Sequence, residues 1–196
     1  MAVTAVVFDV GETLLDESRS WERAADMCGV PRFTLMALLG AAVARDESYR
    51  QPFAWLGVEP PLGAFADRDE LYPDALPCLE ALRARGLAVG AVGNMRIVQE
   101  ELIRPHVDWV ASSERWDVEK PSVEFFLRLA ETAGRAPGEI AYVGDRLDND
   151  VLPAKRAGMT AVFIRRGPWG FVHALRPEAE QADLRVDSLL ELVDKL

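Results

Sequence analysis

The stretch Ile140-Ala141-Tyr142-Val143-Gly144-Asp145-Arg146-Leu147-Asp148-Asn149-Asp150 joins an apolar run to a cluster of acids. An apolar run of this length, closed by a glycine, reads as the end of a buried strand. Carboxylates placed there sit where open α/β sheets hold their ligands, at the carboxyl ends of the strands. Asp145, Asp148 and Asp150 fall within six residues and repel one another unless a cation neutralises them. Hard oxygen ligands suit Mg²⁺. A second apolar run, Val3–Phe8, also ends in an acid, Asp9. Two strand ends that each present an aspartate predict one divalent metal held between them.

Outward from this stretch, the chain alternates. Five short β-rich runs, Val3–Phe8, Leu87–Val92, Val107–Ala111, Ile140–Val143 and Thr160–Ile164, are spaced by segments of helical period. Those segments are Ile97–Ile103, Val123–Ala133 and Asp148–Ala157, the last closed by Gly158. Strands alternating with helices predict a parallel sheet in an α/β fold. The gap between the first two strands is longer. Asp74–Arg85 is a crossover helix, but residues 16–71 are too many for a loop. They read as helices over Trp21–Cys28, Phe33–Ala44 and Tyr49–Trp55, then a patch with Gly57, Pro60, Pro61 and Gly63. The expected organisation is a core of residues 1–15 and 72–196, with a helical cap of residues 16–71 over the ligand edge. The tail reads as a short strand, Leu184–Val186, and an amphipathic helix, Ser188–Leu196.

The chain has 196 residues, of which 49% are hydrophobic, enough for a sizeable core and against disorder. The net charge of −10 includes no basic stripe of the kind that binds nucleic acid. An anionic substrate therefore needs local help from a metal, Lys or Arg. Cys28 and Cys78 lack metal-type spacing and read as reduced thiols of a cytoplasmic protein. The first apolar run breaks at Asp9, so neither a signal peptide nor a membrane span is expected.

Three further segments carry chemistry. Phe8-Asp9-Val10-Gly11-Glu12-Thr13-Leu14 places an acid before a glycine turn, where no helix opens for Asp9 to cap. Val92-Gly93-Asn94 offers backbone N–H groups after a strand, an anion cradle when a helix follows. Lys120 precedes Pro121 at a helix start; pointed inward, it would neutralise both an aspartate and a transferring phosphoryl group.

In this order, Phe8–Leu14, Val92–Asn94, Lys120-Pro121 and Val143–Asp150 resemble the four motifs of the haloacid dehalogenase-like hydrolases, and the helical insert between the first two matches the capped subgroup. The resemblance implies a Rossmann-like parallel-sheet core and a Mg²⁺-dependent phosphohydrolase of small anionic metabolites. It makes Asp9 the nucleophile that forms an aspartyl-phosphate. It implies that Thr13 orients the first loop and that Lys120 pairs with Asp9 and the phosphoryl oxygens. Gly93 and Asn94 N–H groups would bind phosphate. Asp9, the Gly11 carbonyl, Asp145 and Asp150 would hold the metal, with Asp148 a lesser contributor.

Two positions depart from the phosphatase pattern. Gly11 stands where a second aspartate normally protonates the leaving oxygen, a loss commonly worth about 10²–10⁴ in rate. Glu12 is adjacent but is expected to point elsewhere. Gly93 stands where Ser or Thr is usual. These departures keep two alternatives open: a non-catalytic binding protein of the same fold, and a 2-haloacid dehalogenase-type C–X hydrolase. The latter is metal-free in this family and grips its substrate with a cap arginine, for which Arg19, Arg23, Arg32, Arg45 and Arg50 are candidates. His106 and His173 read as solvated or core-edge, the five tryptophans mostly as packing, and Arg165-Arg166-Gly167-Pro168 as a solvated charged turn.

Overall fold

The computed structural model describes residues 2–61 and 70–196. Among the described residues eight strands form in chain order: β1 (Ala5–Phe8), β2 (Leu15–Asp16), β3 (Glu70–Leu71), β4 (Ala88–Gly93), β5 (Trp109–Ser112), β6 (Ile140–Gly144), β7 (Thr160–Ile164) and β8 (Leu184–Val186). Six of them make one parallel sheet in the order β5-β4-β1-β6-β7-β8. β1 is central, and the chain runs to β4 and β5 on one side before returning to β6 on the other. The crevice at the carboxyl ends of β1, β4 and β6 is therefore the topological switch point where ligands bind in such sheets.

The helices are α1 (Ser18–Cys28), α2 (Arg32–Ala44), α3 (Gln51–Leu56), α4 (Ala75–Ala84), α5 (Ile97–Ile103), α6 (Ser113–Trp116), α7 (Val123–Ala133), α8 (Leu152–Arg156), α9 (Gly167–His173) and α10 (Leu189–Lys195). β1 reads Ala-Val-Val-Phe and is buried throughout, because helices cover both faces of the sheet. Val6 and Phe8 face a cluster built by α4, α5 and α10. Ala5 and Val7 face the opposite cluster, built by α7 and α8. α7 shows how local chemistry sets an element. Ser122 caps its start by accepting the Glu124 N–H, Phe125, Phe126, Leu129 and Ala130 line its buried face, and Gly134 closes it at φ 62°.

α1, α2 and α3 lie between the strands of a two-stranded antiparallel ribbon, in which Leu15 pairs with Leu71 and Asp16 with Glu70. Trp21, Ala24, Leu35, Leu39 and Phe53 bury a third cluster there, which also takes in Trp169 of α9. Gly63 and the rest of 62–69 lie outside the described residues. Among the described residues no single helix is long and apolar enough to cross a membrane.

Most elements fall within two residues of their sequence-based limits. Two differ in kind. The segment expected as one helix, Asp148–Ala157, is a π-helical turn over Leu147–Val151 followed by α8. The expected turn at Gly167-Pro168 opens α9, since proline is at home in the first turn of a helix.

Candidate active site

Asp9 follows β1 and Asp145 follows β6, so adjacent parallel strands deliver both carboxylates to one edge. Asp150 reaches the same place from the π-helical turn. One carboxylate oxygen from each of Asp9, Asp145 and Asp150 lies within 4.8 Å of the other two. All three residues are buried. Burial, then Asp150, Asp9 and Glu12, push the Asp145 carboxyl well above its ordinary range, and its Oδ2 is buried without a hydrogen-bond partner among the described residues. Burial likewise raises Asp150 to about 6, against the opposing pull of Lys120. Three crowded acids, one with an unpartnered oxygen, form a donor set that a hard divalent cation fits.

Lys120 enters from the loop before α7 and is 3% exposed. Its Nζ lies 2.6 Å from Asp9 Oδ1 and 2.6 Å from Asp150 Oδ1, over the Tyr142 ring. Burial alone would lower the lysine's pKa, but Asp150 and Asp9 outweigh it and hold the ammonium charged well above its ordinary value. The Lys120 backbone is fixed by Asn94, whose side chain accepts the Lys120 N–H at 2.8 Å and donates to the Lys120 carbonyl at 2.9 Å. The Asn94 side chain thus locks the second motif to the third, a contact between distant segments that no spacing announces.

Gly93 and Gly144 leave room for the acids. A Cβ on Gly93 would lie 2.7 Å from Asp9 Oδ1, so a larger residue there requires Asp9 to sit differently. A Cβ on Gly144 would lie 2.5 Å from the Asp150 Cβ. Asp150 Oδ2 also accepts the Arg146 N–H at 3.0 Å, which folds the acid back over the end of β6. Asp148 turns outward to an ion pair with Arg146 at 2.7 Å.

The first loop is held from below. Thr13 is fully buried, and its hydroxyl has no hydrogen-bond partner among the described residues. The loop is tied instead through the Thr13 carbonyl, which accepts from Arg166 at 2.9 Å. Arg166 also pairs with Asp74 and stacks on Tyr72, so it is a half-buried cross-link rather than a solvated charge. Arg165 is the exposed member, paired with Asp187 at 2.8 Å. Glu12 adopts φ 53° and is buried; its carboxylate accepts from the Tyr72 hydroxyl at 2.6 Å and from the Glu17 N–H at 3.1 Å. His173 is buried as well, contrary to its expected core-edge place, and its Nδ1 accepts the Leu147 N–H at 3.1 Å.

These groups open into a cleft of about 860 Å³ between the sheet edge and α1 to α3. Trp21, Tyr49 and Arg50 line one wall, and Asn94, Arg96 and Lys120 the other. Of the five arginines named as candidates for an anion grip, Arg50 is in this wall. Arg19 pairs with Glu70, Arg32 with Glu22 and Asp26, and Arg45 with Glu47.

The sequence profile of haloacid dehalogenase-like hydrolases matches residues 3–158, most of the chain. The protein belongs to this family. Among its relatives is a glyceraldehyde 3-phosphate phosphatase of Methanopyrus kandleri, 40% identical over 129 residues. That match takes in 63% of this chain and 55% of the relative, so the chain spans about half the length of such curated relatives. A HAD phosphatase of Thermococcus onnurineus superposes with a TM-score of 0.68 at 26% identity, over 98% of this chain and 97% of that one. An L-2-haloacid dehalogenase of Xanthobacter autotrophicus superposes with a TM-score of 0.72 at 21% identity, over 98% and 97%, and shares the fold. Both branches of the family thus share this architecture, and the side chains at the sheet edge must distinguish them.

Proposed function

We propose that the protein is a Mg²⁺-dependent phosphohydrolase of a small phosphorylated metabolite. The observation that carries this reading is the convergence of Asp9, Asp145 and Asp150 within 4.8 Å, with an unpartnered Asp145 oxygen among them. Three buried carboxylates that repel one another at the nucleophile suit a cation site better than a metal-free C–X hydrolase. The phosphatase names among the relatives support the same choice.

In this reading Asp9, Asp145, Asp150 and the Gly11 carbonyl hold Mg²⁺. When bound, the cation cancels the carboxylate repulsion and stabilises charge on the phosphoryl oxygens. The other steps belong to the chain itself. Asp9 attacks phosphorus and carries the phosphoryl group as an aspartyl-phosphate, which water then hydrolyses. Lys120, already 2.6 Å from Asp9 Oδ1, orients the nucleophile and draws the phosphoryl oxygens. Gly93 and Asn94 N–H groups receive those oxygens. Thr13 stays in the first loop as a packed member, with Arg166 setting the loop's position. Residues 16–71 act as the cap, closing the cleft and selecting the substrate. Arg50 and Arg96 line the cleft without a carboxylate partner among the described residues, which suits an anionic substrate in a chain of net charge −10.

The test is a panel of phosphate monoesters and 2-haloacids, assayed with Mg²⁺ and with EDTA, with Asp9→Asn as control. Phosphate release that requires both Mg²⁺ and Asp9 is the expected result. Halide release unaffected by EDTA would replace this reading with the dehalogenase one.

A further inference from the structure

Cleavage of an alkyl phosphate through Asp9 needs two proton transfers at one place. The departing alkoxide must be protonated, and the water that later attacks phosphorus must lose a proton. Several groups at the cleft floor are committed elsewhere. Lys120 is held between Asp9 and Asp150. The Glu12 carboxylate is buried and holds the Tyr72 hydroxyl and the Glu17 N–H. Gly11, two residues beyond the nucleophile, has no side chain to offer.

The space beside Gly11 is nevertheless filled. A Cβ built on Gly11 would meet Glu17 Oε1 at 2.5 Å, Glu17 Cδ at 3.0 Å and Glu17 Oε2 at 3.4 Å. Those three nearest atoms are one carboxyl group. Glu17 precedes α1, is half-buried, and lines the same cleft as Asp9 and Lys120. Its backbone is anchored by the hydrogen bond to Glu12, which fixes where its side chain starts.

We propose that Glu17, reaching in from the start of the first insert helix, supplies the acid–base group that Gly11 lacks. The proposal rests on the phosphohydrolase reading. In the first step Asp9 bonds to phosphorus, the ester P–O bond breaks, and the leaving oxygen takes the proton of the Glu17 carboxyl. In the second step a water oxygen bonds to phosphorus and the Asp9–phosphorus bond breaks. The water's proton passes to the Glu17 carboxylate, which restores the acid and releases phosphate. Glu17 is therefore a catalytic residue, and Gly11 is small so that Glu17 can take its place.

The experiment compares wild type, Glu17→Gln, Gly11→Asp and the double variant Gly11→Asp/Glu17→Ala, all with Mg²⁺. The substrates are the best alkyl phosphate of the panel and p-nitrophenyl phosphate, whose phenolate leaves without a proton. Glu17→Gln is expected to slow the alkyl ester by about 10²–10⁴-fold. With p-nitrophenyl phosphate it should give a burst of one phenolate per site and then slow turnover, because the aspartyl-phosphate accumulates. A purely structural role would lower both rates with no burst. Gly11→Asp alone should fail, as its side chain meets Glu17. The double variant should regain at least about a tenth of the wild-type alkyl-ester rate, from an acid of comparable strength returned to the same place. Alkyl-ester turnover by Glu17→Gln within about threefold of wild type overturns the proposal, as does an equal loss on both substrates without a burst. A wild type that releases no phosphate from any ester overturns the phosphohydrolase reading first, and the proposal with it.

Discussion

At the scale of single residues, the site is a problem of space as much as of charge. Gly144 has no Cβ, and Asp150 folds over the end of β6 into the room this leaves. Gly144→Ala should push Asp150 out of the acid cluster and cost about 1–3 kcal/mol by overpacking. Thermal melts with and without Mg²⁺ check this: the variant should lose most of the metal-induced shift that wild type shows. Lys120 poses the opposite problem, since it is a buried cation held between two buried acids. Lys120→Met should destabilise the fold by about 3–5 kcal/mol in EDTA, as expected when one partner of a buried ion pair is removed. Added Mg²⁺ should recover part of that loss, because it brings positive charge back to the same acids. The meeting of Asp9 and Asp145 is legible in the sequence because each follows an apolar run that becomes a strand of one parallel sheet, whereas Lys120 and Asp150 stand out through the order of the four motifs. The contacts of Glu17 and of the Asn94 side chain are not legible there. Their partners, Gly11 and Lys120, are reached only through tertiary folding, and local spacing carries no trace of either contact.

At the scale of elements, periodicity and caps served best. Ile97–Ile103 and Val123–Ala133 match their expected limits, and for the latter Ser122 and Gly134 supply the signals at the two ends. Where a carboxylate must be aimed, the regular period gives way. Val151 N–H reaches back to the Arg146 carbonyl, which widens the turn that carries Asp148 to Asp150. His173 on α9 steadies this turn through the Leu147 N–H, and it can accept that bond only while neutral. Burial first of all depresses its pKa to about 4, from an ordinary value of 6.5. Between those values the unfolded chain binds the proton that the folded one refuses. The contribution is therefore whole above about pH 6.5 and is lost as the pH falls toward 4. It amounts to about 3 kcal/mol at most for a shift of this size. Urea titrations at pH 4.5, 5.5 and 7 should show a steeper acid-side loss for wild type than for His173→Gln.

At the scale of the whole molecule, the proposed cation site joins two segments far apart in sequence, around Asp9 and around Asp145 to Asp150, so metal binding is expected to couple to folding. Mg²⁺ at 100 times its dissociation constant should add about 2.7 kcal/mol, and Asp145→Asn should abolish most of this gain. A melting series across Mg²⁺ concentrations measures both. The helices α1, α2 and α3 are legible in the sequence from their patterning, but their seat on α9 is not, because Gly167-Pro168 reads as a turn. That seat is substantial. Trp169 joins the cluster of Trp21, Leu35 and Phe53, Val172 packs beside it, and Arg176 pairs with Asp46 at 2.5 Å. The same α9 carries His173 beneath the acidic turn. Recombination between family members must respect this: an insert borrowed from a relative would arrive without its matching floor, and re-cutting the floor to fit would disturb the acids on its other side. The unit that can be exchanged is the insert together with residues 167–176, two pieces separated by most of the sheet.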